Sequence, residues 1–152
     1  MQTAIKYNWF YTCSPQKVWD FLTKPELLSQ WLMDNDIKPI VGHRFMFKTK
    51  GMPALELDGN FYCEILESIP FKKLSYSWKG GPGNGQTNLD TVVTWTLNPR
   101  ENGTELFLEH SGFRAETNMA IFQGMDAGWK KKMAETLSQL ITKQLLNETA
   151  RG

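Results

Sequence analysis

Apolar residues recur at every second position through the middle of the chain and at every third or fourth position near its end. Leu74, Tyr76 and Trp78, for example, alternate with serines, and alternation of this kind is typical of strands with one buried face. From residue 118 to residue 146 the apolar positions instead follow helical spacing, which predicts one long amphipathic helix. Its apolar stripe comprises Ile121, Phe122, Met125, Trp129, Met133, Leu137, Leu140, Ile141 and Leu145.

The first third of the chain predicts one strand followed by two short helices. Residues 4–12 alternate between apolar and polar side chains. Ser14 and Pro15 then form a typical helix start, a capping side chain before a proline at the first helical position. Pro25 starts the second short helix, and residues 35–39 end it. The apolar positions of the two helices are Val18, Phe21 and Leu22 in the first, and Leu27, Leu28, Trp31 and Leu32 in the second.

About five further strands follow, separated by short turns such as Asn102-Gly103. Adjacent alternating strands joined in this way predict an antiparallel sheet. The whole order predicts an α+β fold in which a curved antiparallel sheet of about six strands wraps around the long C-terminal helix. We expect one domain covering residues 1–152, because no repeat, linker or low-complexity segment divides the chain.

The C-terminal helix contains two glycines, Gly124 and Gly128. Each costs a helix about 1 kcal/mol relative to alanine, so they suit a place where another group comes close to the helix. A sheet curled around such a helix can leave an internal space, and this space is the candidate site.

The order of short motifs along the chain resembles the START-like (SRPBCC, Bet v 1-like) superfamily. The segment 14–32, SPQKVWDFLTKPELLSQWL, is similar to the amino-terminal signature of its branch related to the activator of the heat shock protein 90 ATPase. Further agreement follows in the same order at Val41-Gly42, residues 74–78, residues 103–106, residues 110–113 and Gly128-Trp129. The resemblance implies the helix-grip fold, with a cavity between sheet and C-terminal helix that holds apolar small molecules.

Strand and helix parity place a set of large side chains around this expected cavity. They form either an apolar wall for a ligand or simply a core filled at native density. The set consists of Trp31, Phe47, Phe61, Tyr76, Trp78, Trp95, Phe113, Trp129 and Met133, together with His110.

His110 shares its strand face with Leu106 and Leu108 and is therefore expected to point inward. A buried imidazole needs a hydrogen-bond partner. His110 either orients a polar group of a ligand, together with Tyr76, or is satisfied by the backbone or by Ser111.

Two other motifs have simple interpretations. The glycine-rich segment 80–85 lies between two strands and contains a proline, so it predicts a loop at the cavity mouth and not a phosphate site. Residues 130–132 are three consecutive lysines, which predict a mostly solvated helix face.

Composition narrows the possible partners. The formal net charge of +1 favours neither nucleic acid nor an anionic membrane. The first thirteen residues contain no continuous apolar segment, so we expect a cytoplasmic protein and no membrane partner. The two cysteines, Cys13 and Cys63, have no neighbouring ligand residues, which predicts reduced thiols and no metal or other cofactor.

The sequence therefore predicts a binder of a small apolar ligand, aromatic or lipid-like, as a monomer or homodimer. One alternative is a module that stimulates the ATPase of a chaperone partner. Another is a cyclase- or hydrolase-like enzyme in the same cavity, although Glu105 and Glu109 lie on the parity opposite to His110 and no catalytic motif is present.

Overall fold

The computed structural model describes residues 2–151, with the side chains of residues 2, 115, 116 and 149–151 left out of the description. Within this range the strands are β1 (Gln2–Tyr11), β2 (Asp34–Asn35), β3 (Arg44–Lys48), β4 (Asn60–Ile69), β5 (Lys73–Gly80), β6 (Leu89–Arg100) and β7 (Gly103–Arg114). The helices are α1 (Pro15–Thr23), α2 (Pro25–Leu28), α3 (Ala115–Lys131) and α4 (Ser138–Arg151). A π-helical segment, Lys132–Leu137, joins α3 to α4, and a short 3-10 turn occupies Pro53–Leu55.

The strands form one antiparallel sheet in the order β1-β7-β6-β5-β4-β3-β2. It curls around the C-terminal helix, so the predicted helix-grip fold is confirmed. The sheet has seven strands, compared with the predicted number of about six. The additional one is the two-residue β2, which pairs with the end of β3 and is too short to produce an alternating pattern.

The short helices begin as predicted. The Ser14 hydroxyl accepts a hydrogen bond from the Lys17 backbone N–H at 3.3 Å, and Pro15 occupies the first turn of α1. The indole N–H of Trp31 donates to the carbonyl of Phe21 at 2.9 Å. This bond joins the turn after α2 to α1.

The C-terminal helix differs from the predicted uninterrupted α-helix. Its buried residues Trp129, Met133, Leu137 and Ile141 follow one another in four-residue steps. Such a series drifts around an α-helix, which has 3.6 residues per turn, but a π turn contains more residues and keeps the series on one face. The Tyr11 hydroxyl donates to the Met133 carbonyl at 2.7 Å and so ties β1 to the π-helical segment.

Candidate functional site

A cavity of about 270 Å³ lies between α3, the inner face of the sheet and the loop from Thr49 to Leu57. This is just below the range of about 300–1,000 Å³ that is usual for ligand pockets, so it suits a small molecule. The exposed Thr49 and Gly124 lie at its rim. Ten lining residues are apolar: Leu32, Met33, Met52, Leu55, Leu57, Phe61, Trp78, Ile121, Met125 and Trp129.

Both helix glycines line this cavity. A Cβ atom built on Gly124 or Gly128 would have no heavy atom within 4 Å apart from its chain neighbours and its own helix backbone. No protein group therefore approaches the helix there, contrary to the packing contact that glycines in a helix often provide. The helix face at these two positions borders open space, and the missing side chains are part of what makes the cavity.

The inner wall of the cavity is aromatic. The ring centroids of Phe61 and Trp78 are 5.0 Å apart, and those of Trp78 and Trp129 are 5.8 Å apart in an edge-to-face arrangement. A second layer packs directly behind these rings. Phe47 stacks on Trp78 at 4.9 Å, and Trp95 meets Trp129 edge to face at 5.5 Å. The wall is thus held rigid by buried rings that do not themselves line the cavity.

His110 is fully buried behind Trp129 in a closed hydrogen-bond network. The indole N–H of Trp129 donates to Nδ1 of His110 at 3.0 Å, so Nδ1 is the acceptor. Nε2 then carries the proton and donates to the Thr91 hydroxyl at 2.8 Å, and that hydroxyl donates to the carbonyl of Trp78, also at 2.8 Å. Burial lowers the pKa of His110 to about 3. The imidazole is therefore neutral, and its two nitrogens are occupied by Thr91 and Trp129 and not by the backbone or Ser111, the partners expected for a buried histidine.

Three tryptophans in and behind the cavity wall donate their indole N–H to an acceptor, and a fourth has none in the described part of the chain. Trp31 and Trp129 have the partners given above, and Trp95 donates to the Tyr76 hydroxyl at 3.0 Å. Trp78 Nε1 is buried and has no partner among the described residues. A buried donor without an acceptor costs about 1–3 kcal/mol, and Trp78 lines the cavity.

Ionisable side chains are scarce around the cavity. Among the described residues that line it, Lys132 is the one with a charged side chain, and it is half-buried. Glu105 and Glu109 lie on the outer face of the sheet, as predicted. Hydrogen bonds from Arg100 and Asn8 lower the pKa of the Glu105 carboxyl. In the described part of the chain, no three His, Cys, Asp or Glu side chains form a group that could hold a metal ion.

Both cysteines are free and buried. Burial raises the pKa of the Cys13 thiol to about 11 and raises that of Cys63 further. Both are therefore in the unreactive thiol form at neutral pH.

The sequence profile of the family described as Activator of Hsp90 ATPase homolog 1-like protein matches residues 12–142. The chain belongs to this family. A crystal structure of a protein from Mesorhizobium loti is 37% identical, with 93% of this chain and 98% of that chain covered and a TM-score of 0.80. A solution structure from Bacillus halodurans is 26% identical, with coverages of 91% and 96% and a TM-score of 0.73.

A more distant solved structure has the same fold. The solution structure of the Aha1 dimer from Colwellia psychrerythraea is 22% identical, with 86% of this chain and 90% of that chain covered and a TM-score of 0.68. No curated protein matches the chain. The fold that this Hsp90-activator-like family shares with the START-like group commonly binds hydrophobic ligands. Across the described residues, every helix is too short or too polar to cross a membrane.

In this member of the Hsp90-activator-like family, three of the predicted site residues line the cavity: Phe61, Trp78 and Trp129. The other seven are buried behind them or elsewhere in the core, namely Trp31, Phe47, Tyr76, Trp95, His110, Phe113 and Met133. A part of these seven residues in ligand binding stays a prediction.

The sequence reasoning missed the rim of the cavity. The loop residues Met52, Leu55 and Leu57 form one side, and the glycine-rich segment 80–85, predicted at the mouth, does not line the cavity. That segment makes a tight turn instead, with φ angles of 102°, 60° and 74° at residues 83–85. Lys132 was also missed, because the three lysines together predict a solvated face. Lys130 and Lys131 are exposed as predicted, whereas Lys132 is half-buried. Its four-residue spacing from Gly128 was the available signal.

Proposed function

We propose that the chain binds a small apolar molecule, aromatic or lipid-like, in the cavity between the sheet and α3. The observation that carries this proposal is the open space over Gly124 and Gly128, where added Cβ atoms would meet nothing within 4 Å. A helix that only packed against the sheet would gain about 1 kcal/mol from alanine at each position, so the glycines are explained by a ligand that occupies the space.

Burial of apolar area drives the proposed binding. Each Å² of apolar ligand surface removed from water is worth about 25 cal/mol, and Phe61, Trp78 and Trp129 offer flat, rigid faces to it. Because His110 and the other buried rings hold this wall in place, little side-chain entropy is lost on binding. The loop with Met52 and Leu55 covers the ligand from the opposite side.

Binding of the neutral fluorescent probe N-phenylnaphthylamine tests the proposal. We expect the wild-type protein to increase the probe's fluorescence with saturation. The Gly128→Leu variant places a large apolar side chain into the cavity and is expected to weaken binding by about tenfold or more, since it removes the ligand's space.

The matched control is Ala127→Leu, which adds the same side chain to an exposed position one residue away on α3. Its affinity for the probe is expected to equal that of the wild type. Equal probe affinity of the Gly128→Leu variant and the wild type would show that the probe does not bind in the cavity.

Family membership favours a second candidate function, stimulation of the ATPase of an Hsp90-type chaperone. In that case the outer surface would contact the chaperone, and the cavity would not be needed. Steady-state ATP hydrolysis by the chaperone, measured with wild-type protein and with the Gly128→Leu variant, separates the two functions. Equal stimulation by both proteins would support the chaperone role, and no stimulation by either would count against it.

A further inference from the structure

The residues that line the cavity include two with hydrogen-bond donors that have no partner in the described part of the protein. Lys132 forms no ion pair with any described residue. Trp78, which also lines the cavity, has a buried Nε1 with no acceptor in the same part of the chain. Neither an ammonium nor an indole N–H can accept a hydrogen bond. Thr49, with a hydroxyl that can donate or accept, is the remaining polar side chain of the lining. The complementary ligand group is an acceptor.

The position of Lys132 indicates that this acceptor is an anion, because its ammonium lies at the cavity without a negative partner in the described chain. Gly124, Gly128 and Lys132 follow one another in four-residue steps, and all three line the cavity. The described lining residues include no Asp or Glu that would neutralise the ammonium. Lys130 and Lys131 are exposed, so the triplet places one of its three charges at the cavity and two in solvent.

We infer that the natural ligand is an apolar molecule with a carboxylate, which lies against Lys132 while the apolar body lies on Trp78 and Trp129. This inference rests on the proposed function and specifies its ligand class. A carboxylate only accepts hydrogen bonds, and its charge strengthens each of them. An alcohol of the same length has the same apolar body, but its hydroxyl is uncharged and accepts a weaker hydrogen bond from Lys132.

Displacement of N-phenylnaphthylamine by decanoate and by decanol, at neutral pH, tests the inference because the two competitors differ in charge and share their chain. We expect Lys132→Met, which keeps an apolar stem without the charge, to weaken decanoate binding by about three- to tenfold. Decanol binding is expected to change by less than about twofold, because its hydroxyl forms only a weaker, uncharged hydrogen bond. Lys132→Arg should retain the preference for decanoate, and Lys131→Met, a neighbouring exposed position, should behave as the wild type in every titration.

The outcomes separate this inference from the proposed function. If the ratio of decanoate affinity to decanol affinity is the same in Lys132→Met and the wild type, the inference of a carboxylate ligand is wrong. Displacement of the probe by both compounds would still support the cavity as the binding site. Failure of the probe to bind, or binding that Gly128→Leu does not reduce, overturns both. A stronger effect of added salt on decanoate than on decanol in the wild type would support the ion pair independently.

Discussion

Acidification from about pH 7 to about pH 4.5 is expected to lower the free energy of unfolding of the wild-type protein by about 2.5 kcal/mol more than that of the His110→Gln variant. The pKa of His110 is about 3 in the folded chain, compared with 6.5 for an ordinary histidine. Between these values the unfolded chain binds a proton that the folded chain does not. The stability contributed by neutral His110 is therefore complete above pH 6.5 and is lost as the pH falls toward 3.

Burial lowers the pKa of His110, and the hydrogen-bond network gives the added proton no acceptor. Nδ1 of His110 accepts from the Trp129 indole, so a proton added there would place two donors against each other. Glutamine supplies an acceptor and a donor of similar reach and does not titrate. Urea unfolding at several pH values, followed by tryptophan fluorescence, measures the difference.

His43→Gln is the matched control for this experiment. His43 lies near the surface, where its Nε2 is 3.1 Å from the Asp36 carbonyl oxygen. This variant also removes one imidazole but leaves the buried network intact, so a change seen only in His110→Gln belongs to that network. Parallel pH profiles for wild type and His110→Gln would show that the buried imidazole titrates normally and would contradict the closed network.

The sequence predicts the fold well because strand and helix periods report which face of an element is buried. The alternation in β5 places Leu74, Tyr76 and Trp78 inward, and all three are buried. Parity does not report whether an inward side chain meets another side chain or a void. Trp78 and Trp95 lie on the same face of neighbouring strands, yet Trp78 lines the cavity and Trp95 lies behind it.

The rim of the cavity could not be predicted in the same way. Met52, Leu55 and Leu57 belong to a loop, and a loop has no period from which a direction can be read. Lys132 begins the π-helical segment, where the helical spacing changes. A run of three lysines normally indicates solvent, and the exception here depends on the register of the helix over the sheet, which is a tertiary property.

Replacing both helix glycines by alanine is expected to stabilise the protein and weaken ligand binding at once. The Gly124→Ala/Gly128→Ala variant should gain about 1.5–2 kcal/mol in the free energy of unfolding, and Tm should rise by about 3–8 °C. Neither methyl group meets a protein atom within 4 Å, so no clash offsets the gain in helix propensity. The same methyl groups occupy ligand space, and the affinity for N-phenylnaphthylamine should fall about tenfold.

Ala127→Gly provides the opposite control, because it introduces a glycine at an exposed position of the same helix. It should lose about 1 kcal/mol of stability and bind the probe with unchanged affinity. Calorimetry on these samples tests the expected change in stability, and probe titration tests the expected change in affinity. A double-alanine variant that is more stable and still binds like the wild type would mean that the ligand does not approach the helix. A variant that binds less without any gain in stability would mean that the methyl groups obstruct the ligand and that the backbone at these two positions also favours glycine.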